Sequence, residues 1–310
     1  NERVNAAIKG VAQRALQEGH VMLRRAAAEL YGYLASLAGS GSLSMQMQFL
    51  IDQIVDTRHA DGRAACALAL GQIYTCVGGL RASPLTKTIN SLTLSLATDP
   101  HPAVHACALD ALAQVIEAAG VAYEPYVRST LGLMTRLLSL PTHEPEGGSP
   151  GSSNLRVDWP AYPGIARVVS ALVGVLGPDL QEAVSTRGVV YALLLHLVQD
   201  GGDAAAKEAL LGLQRLGLVV PVLLETRVCA NLLRHALSRP ILAPSAASLY
   251  CQMAQRGSQW LARYGGPSLL ASLLQQLDRH PTLSGVRTLV LSWLKDTAPA
   301  RPCTWMDLCC

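Results

Sequence analysis

Residues 83–120, SPLTKTINSLTLSLATDPHPAVHACALDALAQVIEAAG, decide the fold. Leu85, Ile89, Leu92 and Leu96 recur at helical spacing. Asp99-Pro100 breaks that helix, and Pro102 suits the first turn of the next, where its missing N–H costs nothing. Val104, Ala108, Leu109, Leu112 and Ile116 give the second helix an apolar face, and Gly120 ends it. Two short amphipathic helices joined by an Asp-Pro turn cannot bury both faces alone, so they stack on further copies of themselves. That requirement is the physics of a helical solenoid.

The copies are readable. An apolar–basic–x–small–small pattern occurs at Leu23-Arg24-Arg25-Ala26-Ala27, Gly62-Arg63-Ala64-Ala65-Cys66 and Val104-His105-Ala106-Cys107-Ala108. It recurs at Ala206-Lys207-Glu208-Ala209 and at Val286-Arg287, with weaker forms at Ile165-Ala166-Arg167 and Pro244-Ser245-Ala246. Successive starts fall about 40 residues apart, the two-helix HEAT/armadillo period, apart from one gap of about 60 that holds a loop.

Composition agrees. Of 310 residues, 50% are hydrophobic and 15% charged, with a single Phe and abundant Ala and Leu. Small residues let helices approach closely, which favours stacked hairpins over a sheet core. A net charge of +3 with no long Lys/Arg run points away from a nucleic-acid partner. No apolar run approaches the length of a membrane span; 191–198 is interrupted by His196 and flanked by Arg187 and Asp200. The first residues are polar and helical in pattern, without a signal-peptide core, and a start at Asn1 is expected of an excerpt from a longer chain. Among eight cysteines, Cys66, Cys107, Cys229 and Cys251 fall within helical patterns, the placement of small buried thiols in a reducing, cytosolic setting.

In chain order the expected hairpins are 4–16 with 22–37, 45–55 with 63–77 and the unit at 83–120, then 124–140 with 162–176. Next come 186–199 with 203–216, 220–237 with 243–255, and 260–278 with 284–295. Gly39-Ser40-Gly41-Ser42 reads as a flexible connector and Asp61-Gly62 as a turn. The domain reading is HEAT repeats over 1–140, a flexible Pro/Gly/Ser-rich insertion over 141–160, repeats again over 161–296, and an irregular tail over 297–310. The expected fold is all-α, a HEAT/armadillo-like α-solenoid of about seven two-helix repeats.

Candidate chemistry is sparse. His101 and His105 have a metal-binding spacing, but no third ligand follows, and Pro102 places His101 in the turn. Cys303, Cys309 and Cys310 form no C-x-x-C pair. Asp56, His59 and Asp61 cluster at a turn, read as solvated because nothing nearby supplies a desolvating pocket. No nucleophile elbow, P-loop or dinucleotide fingerprint is present. No catalytic, cofactor-binding or metal residue is therefore assigned, no cofactor is expected, and the chain is read as not an enzyme. Arg24, Arg63, Lys207 and Arg287 suggest a ladder along the second helices, bonded either to acids and carbonyls of adjacent turns or to a partner.

Several segments carry a more specific likeness. RAACALALGQIYTCVGGL (63–80), SLATDPHPAVHACALDALAQVIEAAG (95–120) and YVRSTLGLMTRLLSLPTH (126–143), followed by VVSALVGVLGPDLQ (168–181) and ALLGLQRLGLVVP (209–221), resemble the HEAT-repeat-containing protein 5 family. These are animal relatives of the yeast large accessory protein of clathrin adaptors. The likeness spans about 22–256 and rests most on Val77-Gly78-Gly79-Leu80 and the Asp-Pro-His-Pro turn; residues after about 281 depart from it. It implies a very long, non-catalytic solenoid, cytoplasmic and peripheral at trans-Golgi and endosomal membranes. Its implied partners are clathrin adaptor subunits or adaptor-associated proteins, and its implied role is adaptor localisation and endosome-to-Golgi retrieval. Partner-binding residues are not assigned. The alternative is a HEAT scaffold of another class, a nuclear-transport carrier or a phosphatase or kinase scaffold. An enzyme on a helical fold is the remaining rival and would need a pocket with convergent titratable groups.

Overall fold

The computed structural model describes residues 2–16, 20–56, 59–78, 86–99, 101–139, 161–256, 271–276, 287 and 291. It is all-α, with no strand among the described residues, and its helices pair into the antiparallel hairpins of a HEAT/armadillo-like α-solenoid. The chain divides into two compact units, Asn1–Leu176 and Gly177–Cys310.

In the first unit the helices are α1 (Glu2–Leu16), α2 (Val21–Ser36), α3 (Ser40–Asp56), α4 (Ala60–Val77), α5 (Thr86–Leu96), α6 (Pro102–Ala119), α7 (Val127–Ser139) and α8 (Ala161–Leu176). The most extensive contacts run α2–α4–α6–α8, so the second helix of each hairpin joins a continuous inner layer. Small residues make this possible. At Gly71 of α4, a Cβ would lie 2.8 Å from the Ala111 Cα of α6, so the two backbones touch there. The layer's core is Ala64, Ala65, Ala69, Leu70, Leu109, Ala111, Leu112 and Ile116, all buried. Between α6 and α7 the chain turns at Gly120, whose φ of 54° favours a residue without Cβ, and then forms a 3₁₀ segment, Gly120–Tyr126.

Buried tyrosines tie several of these elements together. Tyr31 accepts from Gln13 Nε2 at 3.2 Å, Tyr74 shares a hydrogen bond with Thr86 at 3.0 Å, and Tyr123 bonds Thr130 at 2.8 Å and Asn90. A buried hydroxyl with a partner avoids the cost of an unmet one, so these residues fix how neighbouring elements meet as well as fill space.

The second unit has α9 (Val184–Asp200), α10 (Gly202–Val219), α11 (Arg227–Ser238) and α12 (Ala243–Arg256). Here α10 packs on α9 and α12, and α11 on α9 and α12. Tyr250 donates to the Ala230 carbonyl at 2.9 Å, and Tyr191 meets Thr226 at 3.0 Å.

Four readings change. Ser40-Gly41-Ser42 is not a connector but the first turn of α3, where Leu43 N bonds the Gly39 carbonyl at 2.9 Å. Asp61-Gly62 is likewise inside the first turn of α4, where an aspartate suits the helix dipole. Residues 220–226 are not the start of α11; Pro221–Leu223 is a 3₁₀ turn, and Thr226 caps α11 by accepting from Cys229 N at 3.2 Å. Finally, Pro102–Ser139 and Ala161–Gln181 each hold an 18-residue window long and apolar enough to cross a membrane by length and composition, with mean hydropathy 1.3. About half of each window is buried, as expected for core helices of a stack. The seventh hairpin and the tail lie largely or wholly outside the described residues.

Candidate functional site

Three inner helices of the first unit begin alike. His20, His59 and His101 are extended N-cap residues of α2, α4 and α6, and each carbonyl accepts from the residue four positions on, Arg24, Arg63 or His105, at 3.1–3.2 Å. The fourth helical position is thus basic each time. Arg24 reaches Asp61 in the first turn of α4, the next inner helix. Arg63 reaches Asp99, just ahead of α6, by two bonds: Nε to Oδ2 at 3.0 Å and Nη2 to Oδ1 at 3.2 Å. Asp99 Oδ1 also accepts the His101 N–H at 2.9 Å. Arg24 and Arg63 therefore act inside the fold, as rungs between consecutive repeats.

The other two expected rungs differ. Lys207 and Arg287 are exposed. In the second unit the equivalent tie runs the opposite way, from Arg239 after α11 to Asp203 in the first turn of α10. Sequence periodicity could locate the cations; it could not say which acid, 36 or 37 residues away, each would meet.

His101 is exposed in its turn, whereas His105 is buried at 2% exposure. No group of three metal-ligating side chains occurs among the described residues. Cys303, Cys309 and Cys310 lie outside them. Asp56, His59 and Asp61 are all exposed, as expected of a turn. His59 and Asp61 line an open cleft of about 380 Å³, with Gln13, Phe49, Gln53 and Cys66, and stay exposed within it. Burial pushes the Cys66 thiol up to about 12, so it stays protonated and is no nucleophile at neutral pH. Burial likewise pushes Cys229 up to about 12 and Cys251 to about 11.

Two more cavities were not foreseen. In the first unit Arg25, Glu29, Gln72, Asp110, Gln114 and Arg167 line a polar cavity of about 160 Å³ across the inner helices. There Asp110 takes both Arg167 and, at 3.7 Å, Arg25. In the second unit a groove of about 360 Å³ separates α9 from α11. Val198, Leu232, Ala236 and Leu242 form its floor, while Asn231, His235 and Arg239 stand at its edge. Their sequence signal was only helical periodicity. His59, Asp61 and Cys66 share the first cleft, but there Asp61 is engaged by Arg24 and burial holds the Cys66 thiol protonated.

No family model matches the chain. Protein SWEETIE of Arabidopsis thaliana is 26% identical over an alignment of 309 residues that covers 97% of this chain and 13% of that protein. The chain thus spans only a small part of this curated relative. The structure of Kap121p bound to Pho4p is similar with a TM-score of 0.70 over 97% of this chain and 30% of that one, at 15% identity. An engineered protein is similar with a TM-score of 0.58 over 93% of this chain and 67% of its own, also at 15% identity. At such identities the likeness to solved structures is one of fold.

Proposed function

We propose that this chain is a non-enzymatic HEAT-type scaffold whose partners are proteins of the clathrin-adaptor machinery. The observation that carries the scaffold reading is how the polar groups are used. Arg24 and Arg63 are engaged between repeats and the described core thiols are held protonated, while open clefts and grooves line the helical surface. Such a surface binds rather than reacts. A fold shared with Kap121p, which was solved with Pho4p bound, supports protein partners in general.

The trafficking assignment rests on the resemblance of the segments between about 22 and 256 to the HEAT-repeat-containing protein 5 family. On this reading the protein is cytoplasmic and reaches trans-Golgi and endosomal membranes through its partners. It would support adaptor localisation and endosome-to-Golgi retrieval. A nuclear-transport carrier is the second reading, favoured by the Kap121p fold likeness alone.

Affinity capture from cytosol with this chain as bait tests the assignment. Enrichment of the trans-Golgi clathrin adaptor supports it; enrichment of nuclear-transport factors in its place overturns it and favours the second reading.

A further inference from the structure

We propose that the outward face of α2 is a self-association surface, on which two copies of this chain pair through antiparallel α2 helices. The inference goes beyond the scaffold reading and is independent of the trafficking assignment.

Helix α2 has two apolar sides. One, with Ala27, Ala28, Tyr31 and Ala35, is buried against the rest of the stack. The other carries Leu23, Ala26, Leu30, Tyr33 and Leu37, alternately three and four residues apart, the spacing of a seam between two helices. Leu23, Tyr33 and Leu37 are 52%, 64% and 78% exposed, Ala26 is exposed and Leu30 is half-buried. Large apolar side chains lined up in water mark an interaction surface, whereas a repeat that closes a stack carries a polar outer face.

The size of these residues selects the occupant. Counted from Arg24, Arg63 and His105, the positions of Leu30, Tyr33 and Leu37 hold Ala69, Gln72 and Cys76 in α4 and Ala111, Gln114 and Ala118 in α6. Gln72, Cys76 and Ala111 meet the preceding inner helix. A Cβ on Gly32 would lie 2.8 Å from the Gln72 carbonyl oxygen and 3.0 Å from Cys76 Sγ, and one on Gly71 would lie 2.8 Å from the Ala111 Cα. A leucine where Ala111 stands does not fit that backbone contact, so α2 is not shaped for one more inner helix at the same spacing.

The face is shaped for its own copy. In an antiparallel pair centred on Leu30, Leu23 lies against the partner's Leu37, small Ala26 receives the partner's Tyr33, and the two Leu30 side chains meet on the two-fold axis. Arg25, 3.7 Å from Asp110, and Glu29 follow one edge of the seam, so the paired edges carry both signs and do not repel. With Met22 beside them, 67% exposed, the large side chains offer on the order of 500 Å² per copy, and a pair buries about 1,000 Å². That area is the lower limit of a specific interface and suits a dimer that dissociates at micromolar concentration.

Sedimentation velocity of the full chain from about 1 to 100 μM tests the pairing, with a dimer expected to form across that range. Tyr33→Glu and Leu37→Glu place carboxylates in the seam and are each expected to weaken the dimer by about ten-fold or more. Both positions are exposed, so circular dichroism of the variants is expected to match the parent. Met45→Glu, at a site of α3 that is 69% exposed and outside the seam, is expected to leave the dimer intact. A parent that stays monomeric at 100 μM, or a dimer that survives both seam variants, overturns the proposal. So does growth past the dimer, because an isologous pair closes at two copies.

Discussion

Arg63 and Asp99 meet through two parallel hydrogen bonds although 36 residues separate them, and both side chains are largely buried, at 19% and 10% exposure. A two-point guanidinium–carboxylate pair in such a site is stronger than an exposed one. Arg63→Ala leaves the Asp99 carboxylate partly buried without its cation and is expected to destabilise the first unit by about 2–3 kcal/mol. Arg24→Ala is expected to cost about 1 kcal/mol or less, since its partner Asp61 is 53% exposed. Urea midpoints of the two variants check the order; equal losses would contradict it.

Gly71 tests the backbone contact between α4 and α6. A Cβ there would approach Gln114 Oε1 to 2.3 Å and the Ala111 Cα to 2.8 Å; the amide can swing away, the backbone cannot. Gly71→Ala is expected to cost about 1–3 kcal/mol through overpacking. Gly132 of α7 has nothing within 4 Å of a Cβ, so Gly132→Ala is expected to be neutral or to stabilise by up to about 1 kcal/mol. Thermal melts of the pair give opposite signs if the packing is as described.

Burial pushes Cys66 and Cys229 from an ordinary 9.0 up to about 12, Cys251 to about 11, and Tyr123 from 10.0 up to about 12. These are acids whose folded values are raised, so the unfolded chain loses its protons first. Their contribution to stability is complete below about pH 9 and is lost as pH rises toward about 12. Melting temperature followed from about pH 8 upward should fall over that window, and Cys66→Ala with Cys229→Ala should flatten the fall. A constant melting temperature up to about pH 11 would show that these groups titrate freely.

Thr226 holds two elements at once, capping α11 through Cys229 N and bonding Tyr191 of α9. Thr226→Ala is expected to cost about 1–2 kcal/mol and Thr226→Ser much less, read as a shift in unfolding midpoint. Equal effects would mean that the methyl group, not the hydroxyl, matters.

The hairpins themselves were legible because Pro102 and Gly120 punctuate an unbroken 3.6-residue rhythm, and the helix they bracket is α6. What misled was composition without context. Gly39-Ser40-Gly41-Ser42 reads as a linker, yet its serines simply open a helix whose stability comes from Leu43, Met47 and Leu50 further in. The run Val219-Val220-Pro221-Val222-Leu223-Leu224 has helical hydrophobicity, but a proline without an N–H and a capping threonine reset the start to Arg227. The rungs were half legible: Arg24 and Arg63 stand out by period, while Asp61 and Asp99 gain their meaning only when repeats stack. The groove between α9 and α11 was not legible at all, because a concavity depends on how two helices splay rather than on the residues of either one.

The rungs also set how the first unit meets a pulling force. Each ties the start of one inner helix to that of the next, 36 or 37 residues along, so a hairpin pulled from the stack must lose both its apolar packing and its pair. At about 3.3–3.6 Å per extended residue, each release pays out on the order of 120–130 Å of slack. The slack stored in each repeat is thus many times the separation that its pair spans in the fold.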